Sequence, residues 1–137
     1  MSLRMVCRVL TNRYDKAMAE AGLTATQYFL MMVIRGHGQI KVTALAKFAE
    51  LDQTTATRGL QVLEKNGWVR RVEGEDKRNR AVELTAGGEE VLGQAKVKWE
   101  RVQGETLREI GRERWVETQA LLGKIVQGRR DDEDSVV

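Results

Sequence analysis

The spacing of apolar residues is helical along most of the chain and changes to a two-residue alternation in one stretch, between Trp68 and Leu84. Apolar side chains three or four positions apart predict amphipathic helices, whereas strict alternation predicts half-buried strands. The sequence has no proline, and several of its 13 glycines stand where a helical pattern stops. Glycine commonly ends helices, so these features constrain the chain to a mainly α fold with one small β element.

The first two helices are predicted from an apolar stripe and a capping motif. The stripe covers residues 3–21 and stops at Gly22. Thr24, with Gln27 three residues later, has the capping-box pattern that starts a helix. The apolar run over residues 28–34 is nearly continuous, which predicts that this second helix is buried on most sides.

A helix-turn-helix is predicted next. The stretch of residues 40–42 is too short to be more than a strand fragment. Thr43 is expected to cap a short third helix, and Asp52 to cap a fourth helix that stops at residues 66–67. Its inward positions are predicted to be Ala56, Leu60 and Leu63. Two helices joined by a tight turn, after an earlier buried helix, are the elements of a helix-turn-helix.

A β-hairpin wing is predicted directly after this motif. Residues 68–72 and 80–84 have the composition of strands, and the alternation directs Val82 and Leu84 inward. The polar residues 74–79 join the two strands. The central part of the chain is therefore expected to be a winged helix-turn-helix.

Two further helices are predicted in the C-terminal part. Thr85 starts a long helix, Gly111 interrupts it, and a last helix ends at Gly128. The apolar stripes of the first helix and of these two have too little of the small central lobe to cover. A second copy of the chain is the expected cover. Packing at that interface is the favoured role of Trp99 and Trp115.

The charge distribution favours an anionic partner. The formal net charge is +3, although four acidic residues are concentrated at positions 131–134. The rest of the chain is therefore more basic than the total suggests, and a basic body suits nucleic acid. A merely solvated surface is the alternative. Residues 129–137, which contain these four acidic residues, are expected to form a disordered tail.

The fourth helix has a polar face suited to DNA. The outward residues are Gln53, Thr54, Thr57, Arg58 and Gln61. In the major groove arginine makes bidentate hydrogen bonds to guanine, glutamine pairs with adenine, and threonine offers a hydroxyl and a methyl group. No acidic residue interrupts this face before Glu64. An ordinary polar helix face is the alternative.

The hairpin loop concentrates cations at Lys77, Arg78 and Arg80. A narrow minor groove has an enhanced negative potential that attracts arginine. Asp76 is two residues from Arg78, a spacing suited to holding its guanidinium in one pose. A solvated turn is the alternative.

Several motifs in sequence order carry a family resemblance. They are Leu23-Thr24-Ala25-Thr26-Gln27-Tyr28, Val42-Thr43-Ala44-Leu45-Ala46, the segment 52–60, Leu63-Glu64-Lys65-Asn66-Gly67-Trp68-Val69, Asp76-Lys77-Arg78 and Leu84-Thr85-Ala86-Gly87-Gly88. Over about residues 3–127 the chain resembles the MarR family of bacterial transcription regulators. The resemblance implies a single domain at residues 1–130, with dimerisation helices at 1–22 and 86–128 and a winged helix-turn-helix lobe at 24–85.

The resemblance also implies a function. The expected activity is sequence-specific binding of a pseudo-palindromic double-stranded DNA operator by a homodimer. The fourth helix would enter the major groove, and Arg78, oriented by Asp76, would enter the minor groove. Many members are repressors released by a small aromatic or other ligand, for which Tyr14, Tyr28 and Met32 are candidates; core packing is their alternative role.

Other classes of function are disfavoured. An enzyme needs a convergent set of catalytic groups, and the chain has one histidine and one cysteine, far apart in sequence. No enzyme activity, metal or cofactor is therefore expected. A winged-helix protein-interaction module without DNA binding is the remaining alternative, although the retained cations argue against it.

The sequence also predicts the role of Cys7 and the location of the protein. Some members of the family sense oxidants through a cysteine on the first helix. Cys7 lies on the apolar stripe, however, and buried packing is its favoured role. No apolar run approaches the roughly 18 residues of a membrane span, and the first residues lack a signal-peptide core. A cytoplasmic location is expected.

Overall fold

The computed structural model describes residues 1–73 and 80–135, except for the side chain of Glu133. The elements are α1 (Leu3–Ala19), α2 (Ala25–His37), β1 (Ile40–Lys41), α3 (Val42–Phe48), α4 (Gln53–Lys65), β2 (Val69–Arg71), β3 (Ala81–Leu84), α5 (Ala86–Ile110) and α6 (Arg112–Ser135). This confirms the prediction of a mainly α fold with a small antiparallel sheet. The chain divides into two compact units, Met1–Glu100 and Arg101–Val137, and α5 contributes to both.

The core of the first unit is built around α2. Leu30, Met31 and Ile34 are fully buried, as the continuous apolar run of this helix predicts. Helices α1, α3 and α4 and strand β3 all pack on α2. Gly59 lets α4 approach closely, because a Cβ atom there would lie 2.7 Å from Leu30 Cδ1. The position of α4 is thus set by its packing on α2.

The sheet has the strand order β1-β3-β2, and both pairings are antiparallel. Val69 pairs with Leu84, and Val82 pairs with both Ile40 and Arg71. Val69 and Val82 are buried, so the face that carries them packs on the core. Directly opposed residues share a face, and Arg71 therefore lies on this inner face.

The predicted starts of α2 and α4 are confirmed. Thr24 and Gln27 form the complete capping box, in which each side chain accepts a hydrogen bond from the other's backbone N–H. Asp52 caps α4 by accepting a hydrogen bond from the backbone N–H of Thr55. Each cap involves residues only three positions apart, so the sequence alone is enough to predict it.

The predicted start of α3 is wrong. The helix begins at Val42, and its N-cap is Lys41, whose side chain makes no capping hydrogen bond. Pairing of β1 with β3 holds Lys41 in an extended conformation. The helix therefore follows the strand directly, and Thr43 lies inside its first turn.

The predicted end of the last helix is also wrong. Helix α6 continues past Gly128 to Ser135. Hydrogen bonds between positions four residues apart accompany this continuation: Gln127 Nε2 donates to Asp131 Oδ1, and Ser135 Oγ donates to the carbonyl of Asp131. Glycine ends a helix only where a left-handed conformation is needed. The assignment of residues 129–137 as a separate tail stays a prediction.

A tight junction joins the start of α5 to the end of α4. The Thr85 hydroxyl donates a 2.6 Å hydrogen bond to the carbonyl of Gly67 and accepts one from the backbone N–H of Gly88. The backbone N–H of Thr85 donates to the carbonyl of Trp68. A Cβ atom at Gly88 would lie 2.0 Å from that carbonyl oxygen. Only glycine therefore fits at this crossing.

Replacement of Gly88 by alanine is expected to destabilise the fold by about 1–3 kcal/mol, because the clashing atoms belong to the backbone. Gly93→Ala is the matched control in the same helix, where a Cβ atom would meet nothing within 4 Å. Alanine there should stabilise the fold by up to about 1 kcal/mol. Chemical denaturation measures both. Equal stability of Gly88→Ala and the unmodified chain would contradict the close approach.

Candidate nucleic-acid interface

Helix α4 presents two different faces. Ala56, Leu60 and Leu63 are fully buried, as the sequence predicts. On the other side Gln53, Thr54, Arg58 and Gln61 are exposed, and Thr57 is half-buried. The exposed face of α4 consists of these five side chains: Gln53, Thr54, Thr57, Arg58 and Gln61. The sequence-based assignment of these residues to a common outward face agrees with their exposure.

The two carboxylates at the ends of α4 are both engaged. Asp52 Oδ1 accepts from the Thr55 backbone N–H at 2.7 Å, and Oδ2 accepts from the Thr55 hydroxyl at 2.8 Å. These bonds, the backbone one foremost, lower the pKa of Asp52 below its ordinary 3.8. Glu64 Oε1 lies 3.0 Å from Arg71 Nη2. Between these residues the helix carries no acidic side chain.

The hairpin strands carry a second ion pair, on the outer side of the sheet. Arg70 Nε donates a 2.7 Å hydrogen bond to Glu83 Oε1, and Gln39 Nε2 donates a 2.9 Å bond to Glu83 Oε2. These two donors lower the pKa of the Glu83 carboxyl. The pair joins β2 to β3 and involves no residue of α4.

The predicted wing residues divide into two groups. Asp76, Lys77 and Arg78 lie outside the described residues. Arg80 is half-buried, and its Nε atom is buried with no hydrogen-bond partner within residues 1–73 and 80–135. The DNA contacts assigned to all four residues stay predictions.

Two of the three ligand candidates line a cavity of about 310 Å³ in the first unit. Its lining consists of Tyr28, Phe29, Met32, Lys96, Trp99 and Glu100. Burial raises the pKa of Tyr28, Glu100 raises it further, and Arg35 opposes these effects. The cavity combines apolar and aromatic walls with one cation and one anion.

Tyr14 does not line this cavity but stacks on its aromatic wall. The ring centroids of Tyr14 and Trp99 are 4.1 Å apart, and those of Tyr28 and Trp99 are 4.6 Å apart. Within one chain Trp99 joins α5 to α1 and α2, a contact that the sequence did not predict. The only sign of this stacking in the sequence is that position 99 is aromatic. The packing of Trp99 at an interface between copies stays a prediction.

The outer helices expose apolar side chains. Leu3, Met5 and Val9 on α1 and Val116, Leu121 and Ile125 on α6 are all more than half exposed. Cys7 is also exposed in the single chain, so it is not part of the core of the first unit, and its burial against a second copy stays a prediction. The stripe that carries it continues beyond the part of α1 that packs in the core.

Other side chains show no chemical site. His37 is exposed, and its Nδ1 atom lies 2.8 Å from the carbonyl oxygen of Val33. Among the described residues no three His, Cys, Asp or Glu side chains are grouped so that they could hold a metal ion. None of the described helices is long and apolar enough to cross a membrane.

Sequence comparison identifies relatives of this chain. The model of the MarR family matches residues 23–79. The HTH-type transcriptional regulator YwoH of Bacillus subtilis is 29% identical over 100 residues, which are 73% of each protein. The family match therefore covers the chain from α2 to β2 and ends before β3.

Two solved structures with DNA are similar to the present one. A mutant of MarR from E. coli, complexed with operator DNA, has a TM-score of 0.81 and 26% identity over 90% of this chain and 89% of its own. The M. tuberculosis transcriptional regulator MosR, in complex with DNA, has a TM-score of 0.77 and 34% identity. That alignment covers 93% of this chain and 94% of MosR.

The cap of α4 is expected to make part of the stability depend on pH. Because the folded state lowers the pKa of Asp52, its carboxylate stabilises the fold above the ordinary value of 3.8. This contribution is lost as the pH falls through the lower value of the folded state. The difference in Tm between the unmodified chain and Asp52→Ala should be constant over about pH 5 to 8 and shrink in more acidic solution.

Asp52→Asn is the control, because asparagine keeps a capping oxygen but does not titrate. It should lower the Tm less than alanine does at neutral pH. Thermal denaturation followed by circular dichroism measures all three proteins. A Tm difference for Asp52→Ala that persists unchanged at pH values well below 3.8 would contradict the role of the carboxylate.

Proposed function

Since the chain belongs to the MarR family of DNA-binding transcriptional regulators, we propose that it is a homodimeric repressor that binds a pseudo-palindromic operator and is released by a small aromatic ligand. The exposed face of α4 carries this proposal. Its hydroxyl, amide and guanidinium groups can hydrogen-bond to base edges and phosphates. Operator DNA bound to a similar MarR protein supports the same partner here.

On the exposed face, the roles of the side chains follow from their chemistry. Arg58 is the single cation of that face and is exposed to solvent. A guanidinium can donate two hydrogen bonds to guanine, at O6 and N7. The amides of Gln53 and Gln61 can form paired hydrogen bonds with adenine. Thr54 and Thr57 offer short hydroxyls to phosphates or bases. We assign base reading to Arg58 and positioning on the backbone to the threonines.

The hairpin supplies the second part of the DNA contact. Lys77, Arg78 and Arg80 bring three cations within four positions of the sequence. Insertion of Arg78 into the minor groove, with Asp76 orienting its guanidinium, would read groove width rather than base identity. Lys77 and Arg80 would contact phosphates. The two parts together give one recognition unit per subunit.

A second copy of the chain is the proposed cover of the exposed apolar residues on α1 and α6. Stable obligate dimers bury on the order of 2,000 Å² or more, and large apolar surfaces of single chains are costly in water. A two-fold dimer presents two α4 helices related by the same axis. That arrangement fits an operator with two inverted half-sites.

The cavity beside Trp99 is the proposed effector site. Its aromatic and apolar lining suits a planar apolar molecule, and Lys96 with Glu100 would hold a polar substituent. Tyr28 belongs to α2, on which α4 packs, whereas Trp99 belongs to α5. A ligand that separated Trp99 from Tyr28 would shift α5 against α2. The Thr85 junction would pass this shift to the end of α4.

An interaction module without DNA binding is the competing function. Such a module has no need for an acid-free, arginine-bearing face on α4. In this chain the two carboxylates at the ends of α4 are engaged by Thr55 and Arg71 rather than exposed as free anions. This arrangement favours DNA as the partner.

Selection of bound duplexes from a random pool is the direct test. The expected product is a pseudo-palindrome whose half-sites lie about one turn, 10–10.5 base pairs, apart. Binding should weaken steeply with salt, because each neutralised phosphate contributes about −0.9 to the slope of log K against log salt concentration. Recovery of a single unrepeated half-site would contradict the dimer, and recovery of no sequence would contradict the function.

Arg58→Ala should cost about 1–3 kcal/mol of binding free energy at one base pair of the selected site, if the guanidinium forks to guanine. Substitution of that base pair should cost the variant nothing further. Lys124→Ala removes the same charge from a different helix, α6, and is the matched control. Equal weakening of every sequence by Arg58→Ala would instead identify Arg58 as a phosphate contact.

A further inference from the structure

An ion pair connects the last turn of α4 to the end of β2. Glu64 is the second-last residue of α4, Arg71 is the last residue of β2, and Glu64 Oε1 lies 3.0 Å from Arg71 Nη2. The Glu64 oxygen is fully buried, while the two side chains are 29% and 36% exposed. The pair therefore lies at the edge of the core rather than on the open surface.

The chemistry of the inner sheet face explains why the pair is there. Val69 and Val82 cover the core near the start of β2, but the next inner position on that strand is Arg71. Strand alternation places Arg80 on the same face as Val82. Beyond these valines the face continues with Arg71, which pairs with Glu64 of α4, and with Arg80.

The end of α4 suits these cations for a second reason. The C-terminus of a helix carries a partial negative charge that attracts cations within its last turn. Glu64 adds a full negative charge at the same place. The guanidinium of Arg71 is thus attracted both by the helix end and by the carboxylate. This attraction adds to the packing of β2 on α4 and to its pairing with β3.

We propose that Glu64 and Arg71 are positioning residues, which fix the angle of the hairpin against α4 so that both elements can engage DNA together. Arg78, which the proposed function assigns to the minor groove, follows Arg71 in the sequence by seven positions. The inference rests on that proposed function. Glu64 itself acts only through Arg71 and touches no nucleic acid.

The sign of one substitution separates this role from simple electrostatics. Glu64→Gln removes a negative charge from the DNA-binding lobe, and charge alone would strengthen binding to phosphates. Loss of the ion pair frees the hairpin, which would weaken binding. Positioning therefore predicts weaker binding from a substitution that makes the protein more positive.

The outer pair of Arg70 and Glu83 provides a matched control. It has the same charges and joins the two strands of the same hairpin, although hydrogen bonds hold it, whereas Glu64 Oε1 makes an ion pair without a hydrogen bond among the described residues. It makes no contact with α4 through these bonds. Glu83→Gln changes the net charge by the same amount without releasing β2 from α4.

The experiment uses the full chain and the duplex selected from the random pool. Affinity, thermal stability and footprints are measured for the unmodified chain, Glu64→Gln, Arg71→Gln, their double variant and Glu83→Gln. Hydroxyl-radical footprinting reports minor-groove contacts, and methylation protection of guanine N7 reports the major groove. Glu64→Gln should bind about five- to tenfold more weakly, a coupling of ordinary size for contacting residues.

The footprints give the decisive readout. Minor-groove protection beside each half-site should be lost in Glu64→Gln, while guanine N7 protection remains. The double variant should bind no more weakly than Arg71→Gln, because the two residues act as one unit. Glu83→Gln should keep both kinds of protection and bind as well as the unmodified chain or better.

Two results would overturn the inference. Glu64→Gln that binds as tightly as the unmodified chain, with minor-groove protection intact, would show that the pair does not position the hairpin. Loss of both kinds of protection together with a large fall in Tm would show that Glu64 only supports the fold. Failure of the unmodified chain to bind any duplex would refute the proposed function, and this outcome is recognised before any variant is compared.

Discussion

Burial of α2 is the constraint on which the first unit depends. Its side chains over residues 28–34 are apolar with almost no interruption, and three other helices and a strand pack around them. Close packing makes such a core sensitive to small changes in volume. Gly59 shows the consequence, since its missing side chain is what lets α4 lie against Leu30. The exposed face of α4 is oriented by this contact on its opposite side.

Two connections tie α5 to the helices that precede it. At one end, Thr85 and Gly88 join the start of α5 to the backbone at the end of α4. Further along, Trp99 stacks with Tyr14 and Tyr28, and Lys98 pairs with Glu20 at 3.0 Å. The cavity borders the second connection. A ligand there would act on a helix that is already fastened to α4, which gives a physical route from effector to DNA.

The electrostatics of α4 depend on how its acidic residues are used. Asp52 is engaged in the N-terminal cap, and Glu64 in the ion pair with Arg71. Each carboxylate therefore has a structural partner, and the surface between them carries neutral side chains and Arg58. A free carboxylate on that face would repel phosphates. The same residues thus stabilise the helix and keep its exposed face suitable for an anionic partner.

Much of the fold, and one side of the candidate site, could be predicted from the sequence. The caps of α2 and α4, the glycine between α5 and α6 and the buried and exposed faces of α4 depend on residues within a few positions of one another. Local hydrogen bonds and helical periodicity determine these features, so the sequence contains them directly. The end of α6 could not be predicted, because the sequence does not distinguish a glycine inside a helix, such as Gly128, from a glycine that ends one.

The tertiary structure alone decided which distant residues meet. Lys41, rather than Thr43, precedes α3 because β1 pairs with a strand some forty positions later. The stacking of Trp99 with Tyr14 and Tyr28, the exposure of Cys7 and the pairing of Glu64 with Arg71 likewise follow from how whole elements pack. Periodicity tells which side of a helix is apolar but not which partner covers it. That choice is made by the packing of the complete chain, because burial energy depends on area and not on sequence distance.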